Sequence, residues 1–434
     1  MARLLVVMGV FLTLIAILFY TSPSLKPWSP IEIETEAFSQ VILYPDEEAK
    51  DVQLALVYPN GEMANPYDEG LAHYLEHLVA LRFLENFKTE TFRHGNAWTN
   101  SYATAYFGSS KKERLTPFLQ KLAETAAPLE TDPVFAAEER DIVMREYEQG
   151  NAHTKTAQLY VGLVVDLLED APLSRSVIGT PEAINSYDLN VAKRLHARSH
   201  RLADATLLVH GNLGKRELEK VLSAVSYSQP STLKPLPTPK GLPVTTERLT
   251  AAKTVSEIST DLVWRKLVRV SGCENPVVCN AKITTLERVL DSAARGGIAG
   301  PLRYDAFYAR NFRFDIFNPE TGVIEIQFSA VADKGVSHKD LLAEFERVLQ
   351  DKLTSTIPTS TYDRIRTRLL DDWDTDDPDP EEEFDMAIGW LGDGLQPVTG
   401  RERKSAFESL TKEELEKFSG ELAAPGRVVI RFVY

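Results

Sequence analysis

Apolar residues recur along this chain with two different spacings. Short apolar runs, Gln40–Tyr44 and Asp51–Tyr58, follow the segment Glu32–Glu36 and are closed by the turn Pro59-Asn60-Gly61; this is strand composition. From Asp68 to Phe87 the pattern changes: no proline occurs, and Leu71, Leu75, Leu78 and Val79 fall on one helical stripe. Residues 96–107, with Trp98, Thr99, Tyr102, Thr104 and Tyr106, return to strand composition. Helical patterns cover 115–127, 133–149, 156–168 and 181–199, and Ala205–Val209 reads as a strand. Strands grouped together and helices grouped together indicate α+β rather than a doubly wound sheet.

A similar order returns further on. Ser226–Val244 holds five prolines among Ser, Lys and Thr and reads as a linker. Strand patterns at 260–270, 323–331 and 428–434 then alternate with helical patterns at 280–294, 338–353 and 360–374. The expected architecture is therefore two α/β-sandwich domains, each a mainly antiparallel sheet packed with helices. They would occupy residues 31–225 and 245–434, joined by 226–244.

Residues 1–30 stand apart. Leu4–Tyr20 is apolar apart from Gly9 and Thr13, and residues 22–31 carry three prolines that form a spacer. Seventeen residues is the short end of a membrane span. Two readings compete, a cleaved signal peptide with Ser22 and Ser24 before the cut and an uncleaved anchor; the run is long for a signal, lacks an A-x-A site and has Pro23 in the best candidate cut site, which favours the anchor. Arg3 and the amino terminus outweigh Lys26 among its acidic neighbours. That bias keeps the N-terminus cytoplasmic and puts the body on the far, periplasmic side.

Composition narrows the partners. Of 434 residues 43% are hydrophobic and 26% charged, which fits a globular body, and the net charge of −15 argues against nucleic acid. The same charge steers neutral or basic peptides. Cys273 and Cys279 are the two cysteines, and in an exported chain a short-loop disulfide between them is expected. The acidic run Asp371–Asp385 is expected as a solvated loop between helices; it lacks the glycine-containing loop of a calcium-binding EF-hand.

The chemistry is concentrated in L-A-H-Y-L-E-H-L, residues 71–78. His73, Glu76 and His77 occupy i, i+3 and i+4 and so share a helix face. Two neutral imidazoles one turn apart are a ready pair of zinc ligands. A carboxylate beside them can take a proton from an attacking water. A catalytic zinc needs a third protein ligand. In Ala136–Gln149, Glu139 and Glu146 lie seven apart on one helix face, Glu146 placed to reach the metal and Glu139 to accept from a histidine.

These motifs resemble the pitrilysin/insulinase family of zinc peptidases, whose H-x-x-E-H helix is followed by a third-ligand Glu inside E-x6-E. The match runs through residues 36–225. It includes Gly95-Asn96-Ala97-Trp98-Thr99, Ile178-Gly179-Thr180 and Val209-His210-Gly211-Asn212, and weakens after residue 245. The resemblance implies a zinc endopeptidase with one zinc per chain, held by His73, His77 and Glu146, with Glu76 as general base. It implies that the edge strand at Asn96-Ala97 pairs with an extended peptide. It further implies two structurally duplicated halves, one non-catalytic, and a homodimer or a heterodimer with a related subunit. Family members place an Arg and a Tyr at the reacting carbonyl from an L-R-x6-Y setting. Leu302-Arg303 matches the first part, but Arg310 stands where the Tyr is expected, leaving Tyr308 as the nearby candidate. Two other readings are a non-catalytic assembly subunit of the same fold and a membrane-tethered binding module with a structural zinc.

Overall fold

The computed structural model describes residues 28–84, 92–150, 154–169, 171–227, 233–237, 239, 241–253, 260–371 and 379–434. The expected membrane anchor at residues 4–20 lies outside them, as does part of the proline-rich linker. Among the described residues, no helix is long and apolar enough to cross a membrane.

Two sheets organise these residues. The first is built from β1 (Ile31–Glu32), β2 (Gln40–Pro45), β3 (Val52–Tyr58), β4 (Phe92–Thr99), β5 (Thr104–Ser110) and β6 (Thr206–Gly211), in the order β1-β2-β6-β3-β5-β4. The second is built from β7 (Arg248–Lys253), β8 (Leu262–Arg269), β9 (Ala309–Glu320), β10 (Val323–Ala332) and β11 (Arg427–Val433), in the order β7-β11-β8-β10-β9. Without the short β1, both sheets have the order first-last-second-fourth-third. In each, the first and last strands pair parallel and the other pairings are antiparallel. The halves are topological duplicates with mixed sheets.

Helices α1 (Leu71–Leu84), α2 (Leu115–Ala123), α3 (Pro133–Gln149), α4 (Lys155–Leu168), α5 (Pro181–Ser186), α6 (Leu189–Ser199) and α7 (Lys215–Ala224) belong to the first half of the sequence. Helices α8 (Pro276–Leu290), α9 (His338–Thr354), α10 (Thr359–Asp371), α11 (Pro380–Gly392), α12 (Gly400–Ser409) and α13 (Lys412–Leu422) belong to the second. Val41, Leu43, Leu54, Leu56, Leu207 and Val209 point to one face of the first sheet, where they are buried against α1, α2, α3, α6 and α7. The intervening Ile42, Tyr44, Ala55 and Leu208 are buried on the other face. Burial on both faces explains why these strands read as continuous apolar runs rather than as an alternation.

The two halves exchange a helix. The outer face of the first sheet is covered by Phe384 and Ala387 of α11, from the second half. The outer face of the second, with Val263, Leu267 and Val429, is covered by Leu159, Leu163 and Leu167 of α4, from the first half. Each such leucine or phenylalanine contributes roughly 1.5–3 kcal/mol through burial, so the exchange joins the halves as firmly as a core does. Arg427 adds a polar clasp: its Nε donates to Asp166 O at 2.8 Å, and its Nη1 contacts Glu169 and Glu247.

Local departures from the sequence pattern have local causes. The stretch 96–107 is a hairpin rather than one strand, because Asn100 Oδ1 accepts from the backbone N–H of both Tyr102 and Ala103 and turns the chain. The pattern at 181–199 splits into two helices because Asp188 caps α6, its carboxylate accepting from Asn190 and Val191. The acidic run is not simply a loop. Residues 372–378 lie outside the described residues, but Asp379 caps α11 and Glu381, Glu382 and Glu383 fill its first turn, where the helix dipole favours them. Glu383 is buried against Arg403 at 2.7 Å. Cys273 and Cys279 are joined as a disulfide with Cα atoms 4.7 Å apart.

Candidate metal centre

Helix α1 starts where two glycines meet. Gly70 has φ +82°, and a Cβ there would come within 2.5 Å of Gly179, itself at φ +85°. Beneath this start lies Glu62, fully buried. Its carboxylate accepts from Ala72 N, in the first turn of α1, at 3.4 Å, from Asn65 Nδ2 at 3.1 Å and from Arg175 Nε at 2.9 Å. Arg175 Nη2 donates to Tyr67 O at 2.7 Å, so the segment before α1 is tied to residues 172–175. Burial pushes the Glu62 carboxyl up to about 7, with Arg175 pulling the other way.

The second ligand-bearing helix, α3, is capped by Asp132, whose carboxylate accepts from Val134 N, with Pro133 at the first helical position. Tyr74 on α1 donates to Ala136 O at 2.6 Å, and Ala136 and Val143 are buried at the joint. This docking sets the height of α3 against α1 and brings Glu139 and Glu146 to opposite sides of the His77 ring. His77 Nδ1 lies 3.2 Å from Glu139 Oε2, and its Nε2 lies 3.3 Å from Glu146 Oε2. His73 Nε2 is 3.7 Å from the same Glu146 oxygen. Ligand atoms of His73, His77 and Glu146 all lie within 4.8 Å of one another, the one such trio of His, Cys, Asp or Glu among the described residues.

The donor set fits a divalent metal. Glu139 is buried and accepts a hydrogen bond from the Nδ1–H of His77, which leaves a lone pair on Nε2 facing a carboxylate. Burial, and then the neighbouring His77, hold His73 down at about 4, so it is neutral at physiological pH. Lone pairs and a carboxylate turned toward one another repel unless a cation sits among them. Neighbouring donors around a tetrahedral zinc with bonds of 2.0–2.1 Å stand about 3.3 Å apart, close to the spacings here.

Glu76 points into the same 430 Å³ cavity, lined also by Asn96, Ala97, Trp98, Thr99 and Ile142. It is 7% exposed. Burial pushes its carboxyl up to about 7; His77 and a hydrogen bond from Thr99 lower it, and Glu146 raises it. In the sequence Thr99 reads only as a strand residue of the Gly95–Thr99 stretch, although it lies two residues past Ala97 and so on the same strand face. Asn96 and Ala97 sit on β4, the outermost strand of the first sheet, and among the described residues no strand pairs with its second edge. Arg303 and Tyr308 are not brought to this cavity. Arg303 lies on the short helical turn 300–305 with its guanidinium 5.5 Å from the centre of the Tyr304 ring, and Tyr308 packs against the core of the second half. Their sequence distance from His77 gave no local constraint on where the second half would carry them.

Two α/β halves of like topology, with an H-x-x-E-H helix facing a glutamate helix, resemble the pitrilysin/insulinase peptidases in fold and in motif. The sequence matches no family model. It is 23% identical over 192 residues to an uncharacterized zinc protease of Rickettsia bellii, a match that covers 39% of this chain and 44% of that protein, so less than half the relative's length is spanned. Among solved structures, a protease from Helicobacter pylori superposes with a TM-score of 0.75 at 18% identity, covering 93% of this chain and 99% of the other. The first half of the periplasmic protease PqqL from Escherichia coli gives 0.76 at 13% identity over 93% and 91%. Pitrilysin gives 0.69 at 16% identity, covering 94% of this chain and 45% of its own.

Proposed function

We propose that this chain is a zinc-dependent endopeptidase that cleaves peptides or small unfolded proteins. The observation that carries the reading is the convergence of His73 Nε2, His77 Nε2 and Glu146 Oε2 beside the buried Glu76 carboxyl. His73, His77 and Glu146 would hold one zinc, which supplies a Lewis acid that acidifies water and polarises a carbonyl. Glu139 holds the His77 ring in the tautomer that leaves Nε2 free. Glu76, raised by burial into the neutral range, accepts the proton of the attacking water and returns it to the leaving amine. The outer edge of β4 at Asn96 and Ala97, unpaired among the described residues, offers main-chain N–H and C=O groups to an extended peptide running past Glu76. In this reading residues 4–20 anchor the chain, with the body on the non-cytoplasmic side, and a second copy or a related chain pairs with it.

The test is peptide cleavage measured with zinc content. Wild type should cleave a fluorogenic peptide and lose activity to a chelator. Glu76→Gln should keep its zinc and lose roughly 10²–10⁴ in rate. His73→Ala should lose the metal. A chain that binds zinc but never cleaves, across a varied peptide library, supports the assembly-subunit or binding-module readings instead. Full zinc occupancy in His73→Ala refutes the ligand set. A fully active monomer in light scattering removes the pairing.

A further inference from the structure

We infer that Asn100 and Tyr102 are positioning residues, through which the second half of the chain holds the edge strand β4 in place for a peptide. The inference rests on the peptidase reading and adds the residues that fix the peptide-pairing edge. β4 ends at Thr99, which lines the metal cavity and bonds Glu76, and Asn100 follows at the turn into β5. An edge strand has one ladder to hold it, so its end opens easily unless something else restrains it. Here the restraint comes from both halves. Within the first, the N–H groups of Glu62 and Met63 donate to Asn100 O at 2.9 Å and to Ser101 O at 2.8 Å. From the second come two backbone carbonyls: Asn100 Nδ2 donates to Gly392 O at 2.8 Å, and the Tyr102 hydroxyl donates to Pro319 O at 2.7 Å.

Both carbonyls stand where their own element stops using them regularly. Gly392 is the last residue of α11, where terminal carbonyls have no partner within the helix. Pro319 lies at the end of β9, where β9 carries an extra residue against β10 and the register shifts. The fit of the hairpin against this corner is close. A Cβ on Gly392 would stand 3.0 Å from the Trp98 ring, and one on Gly394, at φ +72°, would stand 3.2 Å from the Tyr102 ring. Trp98 and Leu391 pack on the same group of Val57, Ala103 and Ala105, and Trp98 also lines the metal cavity. The C-terminal end of α11, the helix that the second half lends to the first sheet, therefore backs the strand with which a peptide would pair. Asn100 has two separable tasks. Its Oδ1 closes the turn by accepting from Tyr102 N and Ala103 N, while its Nδ2 reaches α11.

Two variants separate those tasks. Asn100→Asp keeps the acceptor that closes the turn and removes the donor to Gly392; Tyr102→Phe removes only the hydroxyl. Tyr227→Phe, which deletes a hydroxyl bond to Leu222 O inside the first half, is the control. In the zinc-loaded protein, KM for an extended fluorogenic peptide should rise roughly threefold to tenfold in each of the first two, with kcat within about twofold and zinc content unchanged, as loss of one hydrogen bond from the strand's anchor implies. Amide exchange of residues 96–107, read by mass spectrometry, should quicken by a similar factor. The control should change neither. Unchanged exchange in both variants overturns the inference, whatever the rate of cleavage. So does a fall in kcat with KM unmoved. A wild type that binds zinc and cleaves nothing defeats the peptidase reading instead, and faster exchange in both variants then still supports the hold on β4.

Discussion

Arg175→Met isolates the buried pair beneath the site. Arg175 gives Glu62 two contacts, Nε at 2.9 Å and Nη2 at 2.8 Å, while Glu62 itself is fully buried. Methionine keeps much of the stem volume but removes the charge and both donors. At pH 8 the variant must either bury a charge with only Asn65 and the start of α1 for partners or take up a proton to avoid it, a change that costs up to about 3–5 kcal/mol. The pH dependence fixes the cause. Glu62 has its folded pKa raised from the model-peptide range to about 7. Its contribution to stability is therefore fully present at acid pH and is lost as pH rises through about 7. Arg175 opposes that rise, so its removal moves the folded pKa higher still. At pH 5 Glu62 is protonated in both proteins, and the variant should lose only about 1–2 kcal/mol, from missing hydrogen bonds. Urea unfolding of both proteins at pH 5 and pH 8 measures this. Glu62→Gln/Arg175→Met should recover most of the loss at pH 8, since no buried charge remains. Equal destabilisation at the two pH values, or a double variant no more stable than the single, refutes the reasoning. Because Ala72 N joins the Glu62 carboxylate one residue before His73, Arg175→Met should also weaken zinc binding at pH 8.

Two further outcomes are expected. Glu139→Ala should weaken zinc binding about 10–100-fold, read by competition with a chromophoric chelator, because the His77 tautomer is no longer held; unchanged affinity removes that role. The full chain should stay with membranes through alkaline carbonate extraction, while a chain starting at residue 30 should not; complete release of the full chain removes the anchor.

The metal-centre motif was legible early because its information is local. His73, Glu76 and His77 lie within five residues, and helical geometry alone puts them on one face. Glu139 and Glu146 were legible for the same reason, two turns apart on one helix. Strand and helix patterns located most elements for similarly local causes, and failed where side chains reset the backbone, at Asn100, Asp188 and Asp379.

What the sequence determined by itself was therefore which residues share a helix face or a strand face, and hence which side chains could act together within one element. What only the tertiary structure decided was which elements meet. The exchange of α4 and α11 between halves and the Glu62–Arg175 pair 113 residues apart depend on long-range packing. So does the fact that neither Arg303 nor Tyr308 lines the cavity of the His73, His77 and Glu146 cluster. Periodicity reports only that a face will be buried; the partner is chosen by shape and charge across the whole chain, which no local pattern encodes.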